Sequence, residues 1–311
     1  MKNCIIDTDT AGDDVTSIII GSLSELNLLA VTTVAGNVPV ALATKNALLT
    51  LEKIHKLDVP VYMGANKPLM RELVTAQYVH GNDGMGNSNF AEPTKKAEKL
   101  SAAVKLVEYA KEYSNNLIIC AQAPLTNIAL ATMLDRNFPK NVQHLYIMGG
   151  TFRHSGNITP AAEYNFYVDP EASDIVLHAG FKITILPWYV CIEEATINID
   201  EIIENFEKSK SMLFKFYLDV NKAAIEYNKS GKAGMILNGL THSDSVLMSL
   251  ILDKTIIKEI ETVKVQISKC DETTRGFSSM SLDSESDIDV ITKINSEKFK
   301  KILFNTLTKQ I

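Results

Sequence analysis

The chain has 311 residues, 46 % apolar and 22 % charged, the balance of a folded globular protein rather than a disordered or collagen-like one. Lys and Arg number 31 against 37 Asp and Glu, a net charge of −6 with no basic stripe, which excludes a protein that lives on nucleic-acid phosphates. No apolar run reaches the ~18 residues a membrane span requires. Acidic residues also follow the first Met too soon for a signal peptide, so a cytoplasmic location is expected. Cys4, Cys120, Cys191 and Cys270 show no CxxC spacing and read as free thiols rather than a disulfide framework or zinc site.

In chain order, short runs rich in Ile, Val and Leu predict strands over 3–7, 28–34, 59–63, 116–121, 144–148 and 182–186. They lack polar alternation, as strands buried on both faces of a parallel sheet do. Helical patterns over 14–24, 41–56, 99–113, 126–134 and 170–179 fall between or after them. The alternation predicts an α/β fold: a doubly wound, mostly parallel central sheet with helices on both faces. Beyond residue 200 a helical excursion is expected, with a long tract over 201–227 and a helix over 243–252. Late strands over 263–268 and 288–294 precede a closing helix over 296–307, and the Ser/Asp-rich stretch 278–287 reads as a loop. No repeat or linker divides residues 1–311, so a single domain is expected. Ligands of such sheets bind outside the carboxyl ends of the strands, where functional residues are to be sought.

The segment after the first strand, Asp7-Thr8-Asp9-Thr10-Ala11-Gly12-Asp13-Asp14, carries four carboxylates in eight residues. Asp7 and Asp9 are two apart and point to one side of an extended chain, while Asp13 and Asp14 open a helix, whose dipole favours negative charge. A capping or turn role explains one acid at a time, not four. Carboxylates this close repel unless a cation neutralises them, and a hard divalent cation is the natural occupant. An EF-hand loop fails, because its fifth position is Ala11 and its twelfth is Ile18. A phosphoaspartyl phosphatase of the haloacid dehalogenase type matches DTDT imperfectly for the same Ala11, and stands as an alternative requiring Mg²⁺.

The DTDxxxDD block resembles the DxDPGxDD fingerprint of the inosine–uridine-preferring nucleoside hydrolases, and further matches follow in order. VTTVAGN at 31–37, HGNDGMG at 80–86 and APLTNIA at 123–129 resemble that family's segments. So do Met148-Gly149-Gly150, Gly156-Asn157, AEYN at 162–165 and DPEA at 169–172. The resemblance implies the nucleoside hydrolase fold and Ca²⁺-dependent hydrolysis of a ribonucleoside to free base and ribose, in nucleoside salvage. It implies that Asp9, Asp14, the Thr126 carbonyl and Asp244 bind Ca²⁺, with Asp9 also the general base toward water. It places Asp13, Asn37, Asn157, Glu163 and Asn165 on the sugar hydroxyls and Met148 against the ribose. A homodimer or homotetramer is implied as well.

Departures from the pattern bear on the chemistry. Thr10-Ala11 replaces the family's Pro-Gly, so Ala11 would be strained if that position needs positive φ. Ser243 stands where the family has a His linked to protonating the departing base. His242, one residue away, and His80, in the glycine loop, are the remaining candidates for the leaving-group acid. Trp188 and Tyr189 replace a small-apolar–Asp pair and could stack on a base. Loss of the family His also motivates an alternative: a ribose- or nucleoside-binding homologue impaired in catalysis.

Overall fold

The computed structural model describes residues 2–231, 237–283 and 287–310. Six strands follow the predicted order: β1 (Asn3–Thr8), β2 (Asn27–Thr33), β3 (Val61–Met63), β4 (Leu117–Ala121), β5 (His144–Met148) and β6 (Ile183–Leu186). A short antiparallel pair follows, β7 (Thr196–Asn198) with β8 (Gly239–Thr241), and then β9 (Ile257–Ile267), β10 (Ser278–Ser281) and β11 (Ile288–Ile294). The main sheet runs β10-β9-β11-β6-β5-β4-β1-β2-β3. From β11 to β3 every pair is parallel, whereas β9 pairs antiparallel with both β10 and β11. The parallel, helix-covered sheet expected from the alternation is present.

Side-chain alternation on the central strands divides the core into two layers. Cys4 and Ile6 of β1, Ile118 and Cys120 of β4, and Tyr146 and Met148 of β5 belong to one. Ile5, Leu117, Ile119, Ala121, Leu145 and Ile147 belong to the other. The first layer includes residues of helices Asp13–Ser22, Val40–Lys53, Met212–Lys229, Asp244–Leu252 and Ser296–Leu307. Helices Ala102–Glu112, Thr126–Leu134 and Pro170–Leu177 contribute to the second. Both faces therefore demand apolar residues, which is why these strands read as continuous runs. Burying each of Ile5 and Ile6, fully inaccessible on opposite faces, contributes about 1.5–3 kcal/mol.

Chain order reverses beside β1: β2 and β3 extend the sheet one way, β4 to β6 the other. The carboxyl ends of β1 and β4 thus form the switch point where open α/β sheets bind ligands.

The second half departs from its expected layout. The tract 201–227 is two helices, Ile199–Ser209 and Met212–Lys229, broken at Lys210 in the left-handed region (φ 49) and restarted by Ser211, whose hydroxyl caps Phe214 N–H. The 278–287 stretch, expected as a loop, supplies β10. Its serines pair with β9 through the backbone at the sheet edge, which needs no apolar pattern; residues 284–286 of the stretch lie outside the described residues. Asn165 lies in the first turn of helix Tyr164–Val168, with Glu163 as its cap. Among the described residues no helix is long and apolar enough to cross a membrane, and all four cysteines are free.

Candidate active site

The acidic loop leaves the carboxyl end of β1 at the switch point. Asp7 is still in the strand, its Oδ1 accepting from Thr32 Oγ1 (2.6 Å) and Asn127 Nδ2 (2.8 Å). Burial pushes its pKa up to about 7. Asp9, fully inaccessible, is gripped by Asn37: the backbone N–H donates to Oδ2 (2.6 Å) and the amide to Oδ1 (3.1 Å). A Cβ on Gly36 would stand 2.1 Å from Asp9 Oδ2, so the glycine permits this approach. Asp14 accepts from Thr8 Oγ1 (2.6 Å), Gln122 Nε2 (3.0 Å), Ala11 N (3.1 Å) and Asn37 Nδ2 (3.3 Å). Burial nevertheless raises its pKa to about 6. The strain anticipated at Ala11 does not arise, because positive φ falls one residue later, on Gly12 (φ 43).

The second arm comes from the far end of the chain. The β7–β8 pair delivers Thr241, Ser243 and Asp244 to the cavity wall. Asp13 secures the join: its Oδ2 accepts from the N–H groups of Asp244 (2.8 Å) and Ser245 (2.9 Å), and its Oδ1 from Ser245 Oγ. Asp13 thus caps helix Asp244–Leu252, satisfying backbone donors that a helix start leaves orphaned. The Asp244 carboxyl is held well above its ordinary pKa by burial, then by Asp14, Asp13, Asp9 and Glu163.

A third side brings the end of β5 and the loop after it. Glu163 accepts from the N–H groups of Asn165 (2.8 Å), Gly150 (2.9 Å) and Phe166 (3.2 Å), yet burial raises its pKa to about 7. Asn165 Nδ2 donates to the Met148 carbonyl (3.1 Å), and Asn157 Oδ1 accepts from Tyr164 N–H (2.8 Å).

Together these segments enclose a cavity of about 310 Å³. Asp13, Asp14, Asn37, His80, Met148, Asn157, Glu163, Asn165 and Asp244 line it, and Asp9 lies directly behind Asn37. Two expected residues are elsewhere. Thr126 is not in the wall; it opens a helix, and its hydroxyl donates to Asp169 (2.6 Å). Gln122, the residue immediately after β4, stands at the wall beside Asp14 instead. The rule of looking just past each strand end could have found it. His242 is the other: strand-like alternation sends Thr241 and Ser243 to the cavity and His242 into the core, 0 % exposed. Its Nδ1 donates to the Ala195 carbonyl (3.3 Å), so Nε2 accepts from Tyr217 Oη (2.7 Å), and burial lowers its pKa. It cannot reach a departing base.

His80 does line the cavity; its Nδ1 lacks a hydrogen-bond partner among the described residues, and burial lowers its pKa to about 4. Trp188 reaches the wall, whereas Tyr189 turns away to stack on His154 and donate to the Thr292 carbonyl. Tyr78 and Tyr227, packed edge to face at 5.7 Å, complete one side and carry no sequence signal of their own.

No Lys or Arg among the described residues stands in this wall. Among the described residues no three His, Cys, Asp or Glu side chains already form a closed metal cage. The donor set is nonetheless carboxylate oxygen raised in pKa by burial first and then by its own members, which a hard cation would relieve. Fold and site thus define an α/β protein with an acidic, small-ligand pocket at its switch point. The chain belongs to the inosine-uridine preferring nucleoside hydrolase family, whose pattern it matches over residues 4–301. It is 43 % identical over 185 residues to a probable uridine nucleosidase 2 of Arabidopsis thaliana, a match spanning 58 % of this chain and 58 % of the relative, less than two thirds of that protein's length. It is 34 % identical to a pyrimidine-specific ribonucleoside hydrolase RihA of Photobacterium profundum, covering 82 % and 81 % of the two chains. A plant nucleoside hydrolase of solved structure superposes with a TM-score of 0.92 at 29 % identity, over 99 % of both chains.

Proposed function

We propose that this chain hydrolyses the N-glycosidic bond of ribonucleosides, releasing free base and ribose, with Ca²⁺ as its resident cation. The observation that carries this reading is the meeting of Asp9, Asp13 and Asp14 with Asp244, from opposite ends of the chain, around one cavity with no Lys or Arg among the described residues of its wall. Asp9, Asp14 and Asp244 would hold the cation, with an oxygen of Gln122 in the part expected of Thr126. When bound, the cation supplies Lewis-acid activation of a water. Asp9 takes a proton from the attacking water, its carboxylate plane fixed by Asn37. Asp13, Asn37, Asn157, Glu163 and Asn165 receive the sugar hydroxyls, and Met148 packs against the ribose. The sugar carbon gains positive charge as the bond breaks, and the surrounding carboxylates stabilise it. His80 faces the departing base as a neutral hydrogen-bond donor.

The names of the relatives support uridine as the first substrate to test. The decisive assay is reducing-sugar release from uridine, cytidine, inosine and adenosine in phosphate-free buffer, with calcium and with chelator. Calcium-dependent release, greatest from uridine, is expected. A folded protein that is thermally stabilised by nucleosides but releases no sugar would replace the hydrolase with the ribose-binding reading, which the Ser243 position favours.

A further inference from the structure

The carboxyl ends of the parallel strands carry the acidic cavity; their amino ends carry a second one of opposite sign. It encloses about 220 Å³ between Lys2, Asn116, Gln143, His144, Lys182 and Lys254. Lys2, Asn116, Gln143 and Lys182 each stand just before or at the start of β1, β4, β5 and β6, and Lys254 follows helix Asp244–Leu252. Five chain segments therefore converge, and no Asp or Glu is in the wall among the described residues. Lys2 donates to the Ile251 carbonyl (3.0 Å), while Lys182 and Lys254 make no ion pair among the described residues.

His144 forms the inner wall. It is only 8 % exposed, stacks on Tyr146 at 4.2 Å, and pairs its Nε2 with Thr184 Oγ1 (2.8 Å). Its Nδ1 makes no hydrogen bond among the described residues. Burial first, then Lys182 and Lys254, lower its pKa to about 4, with Asp289 of β11 opposing them. Asp289 itself accepts from Thr262 Oγ1 (3.0 Å). The His144 ring thus borders a cavity whose Lys182 and Lys254 carry no ion-pair partner among the described residues, in a protein of net charge −6.

We propose that this amino-end cavity binds a small phosphate-bearing anion, at a site separate from the acidic cavity. Lysine ammonium groups bind phosphate as point charges. Asn116 and Gln143 add amide donors, and the volume admits a phosphate with a small substituent. A carboxylate ligand offers fewer oxygens and less charge to three lysines. The acidic cavity repels the same ligand, so the two sites select opposite chemistries.

Whole, metal-stripped protein freed of chelator is titrated with inorganic phosphate and with ribose 5-phosphate by calorimetry, while NMR follows the His144 ring. Saturable one-to-one binding is expected, with the His144 pKa rising by about one unit or more as the anion arrives. Lys182→Ala/Lys254→Ala should weaken binding by about tenfold or more and leave uridine hydrolysis in phosphate-free buffer unchanged. The charge reversal Lys182→Glu, at an exposed position, gives an independent second variant and should abolish binding. Tighter binding of ribose 5-phosphate identifies a sugar phosphate as the ligand; equal binding identifies free phosphate. Absence of heat and of any His144 shift up to about 20 mM of either probe, or binding that both variants leave intact, overturns the proposal. Because the readout is binding, it stands or falls independently of nucleoside turnover.

Discussion

The two histidines near the cavity have opposite surroundings and should have opposite mutational signatures. His242 is sealed between Tyr217, Ala195 and Phe299. His242→Phe should destabilise by about 1–3 kcal/mol, because the buried Tyr217 hydroxyl loses its acceptor, while kcat of the folded variant stays within about threefold. His80→Ala should do the reverse, lowering kcat by about tenfold or more with little change in Tm. Thermal melts and uridine kinetics on both variants check this; a kcat collapse confined to the His242 variant would restore it as the acid. Asp244 supplies a third test. Asp244→Asn removes one of several mutually repelling charges, so metal-free Tm should rise. Calcium-dependent stabilisation and activity should both fall, activity by about 100-fold or more. Calorimetry with and without calcium separates the two effects.

At the scale of elements, the site depends on one join. Helix Asp13–Ser22 and helix Asp244–Leu252 are tied at their N-terminal ends by Asp13, which caps the second from the first turn of the other. Ser245→Ala removes the hydroxyl bond to Asp13 Oδ1 and leaves the two N–H bonds to Oδ2. A loss of about 0.5–1.5 kcal/mol is expected, with KM rising more than kcat falls, measurable by denaturant titration and steady-state kinetics. Gly12 is the second hinge of the arrangement. A Cβ there would meet His80 Nδ1 at 2.5 Å on a backbone with φ 43. Gly12→Ala should therefore cost about 1–2 kcal/mol and displace His80, reproducing the kinetic signature of His80→Ala.

For the whole molecule, the buried acids set how stability responds to pH. Asp7 and Glu163 have pKa values raised to about 7 and Asp14 to about 6, from ordinary values of 3.8, 4.5 and 3.8. Between those ordinary values and about 7 the native state binds more protons than the unfolded chain, so stability must fall as pH rises through that window. Metal-free protein should melt at a higher temperature at pH 5.5 than at pH 8. Added calcium should reverse the trend, since it binds the ionised carboxylates and stabilises by mass action most strongly above pH 7. Melting curves across this range, with and without calcium, check both signs. A metal-free protein that gains stability with rising pH would contradict the burial of these acids. The sheet then presents an acidic pole at its carboxyl end and a basic one at its amino end, although the net charge is only −6.

The parallel sheet was legible in the sequence because strands buried on both faces must be apolar throughout, as Ile5 and Ile6 are. The acidic loop was legible because Asp7, Asp9, Asp13 and Asp14 are neighbours in the chain, where their repulsion is a local fact. Tyr78 and Tyr227 were not, since each joins the site only by the surface it lines, and Gln122 was marked only by its place just past β4. Sequence proximity also made His242, one residue from Ser243, a candidate for the acid that the family His supplies. Tertiary structure separated them, because a one-residue step along an extended segment turns a side chain from cavity to core. Pairing Asp13 with Asp244 and Ser245, more than 230 residues away, likewise depends on a fold that brings opposite ends of the chain together. Chain-local periodicity and charge determined the sheet and the acidic loop; the closing of the pocket was decided by contacts that exist only once the two core layers have packed.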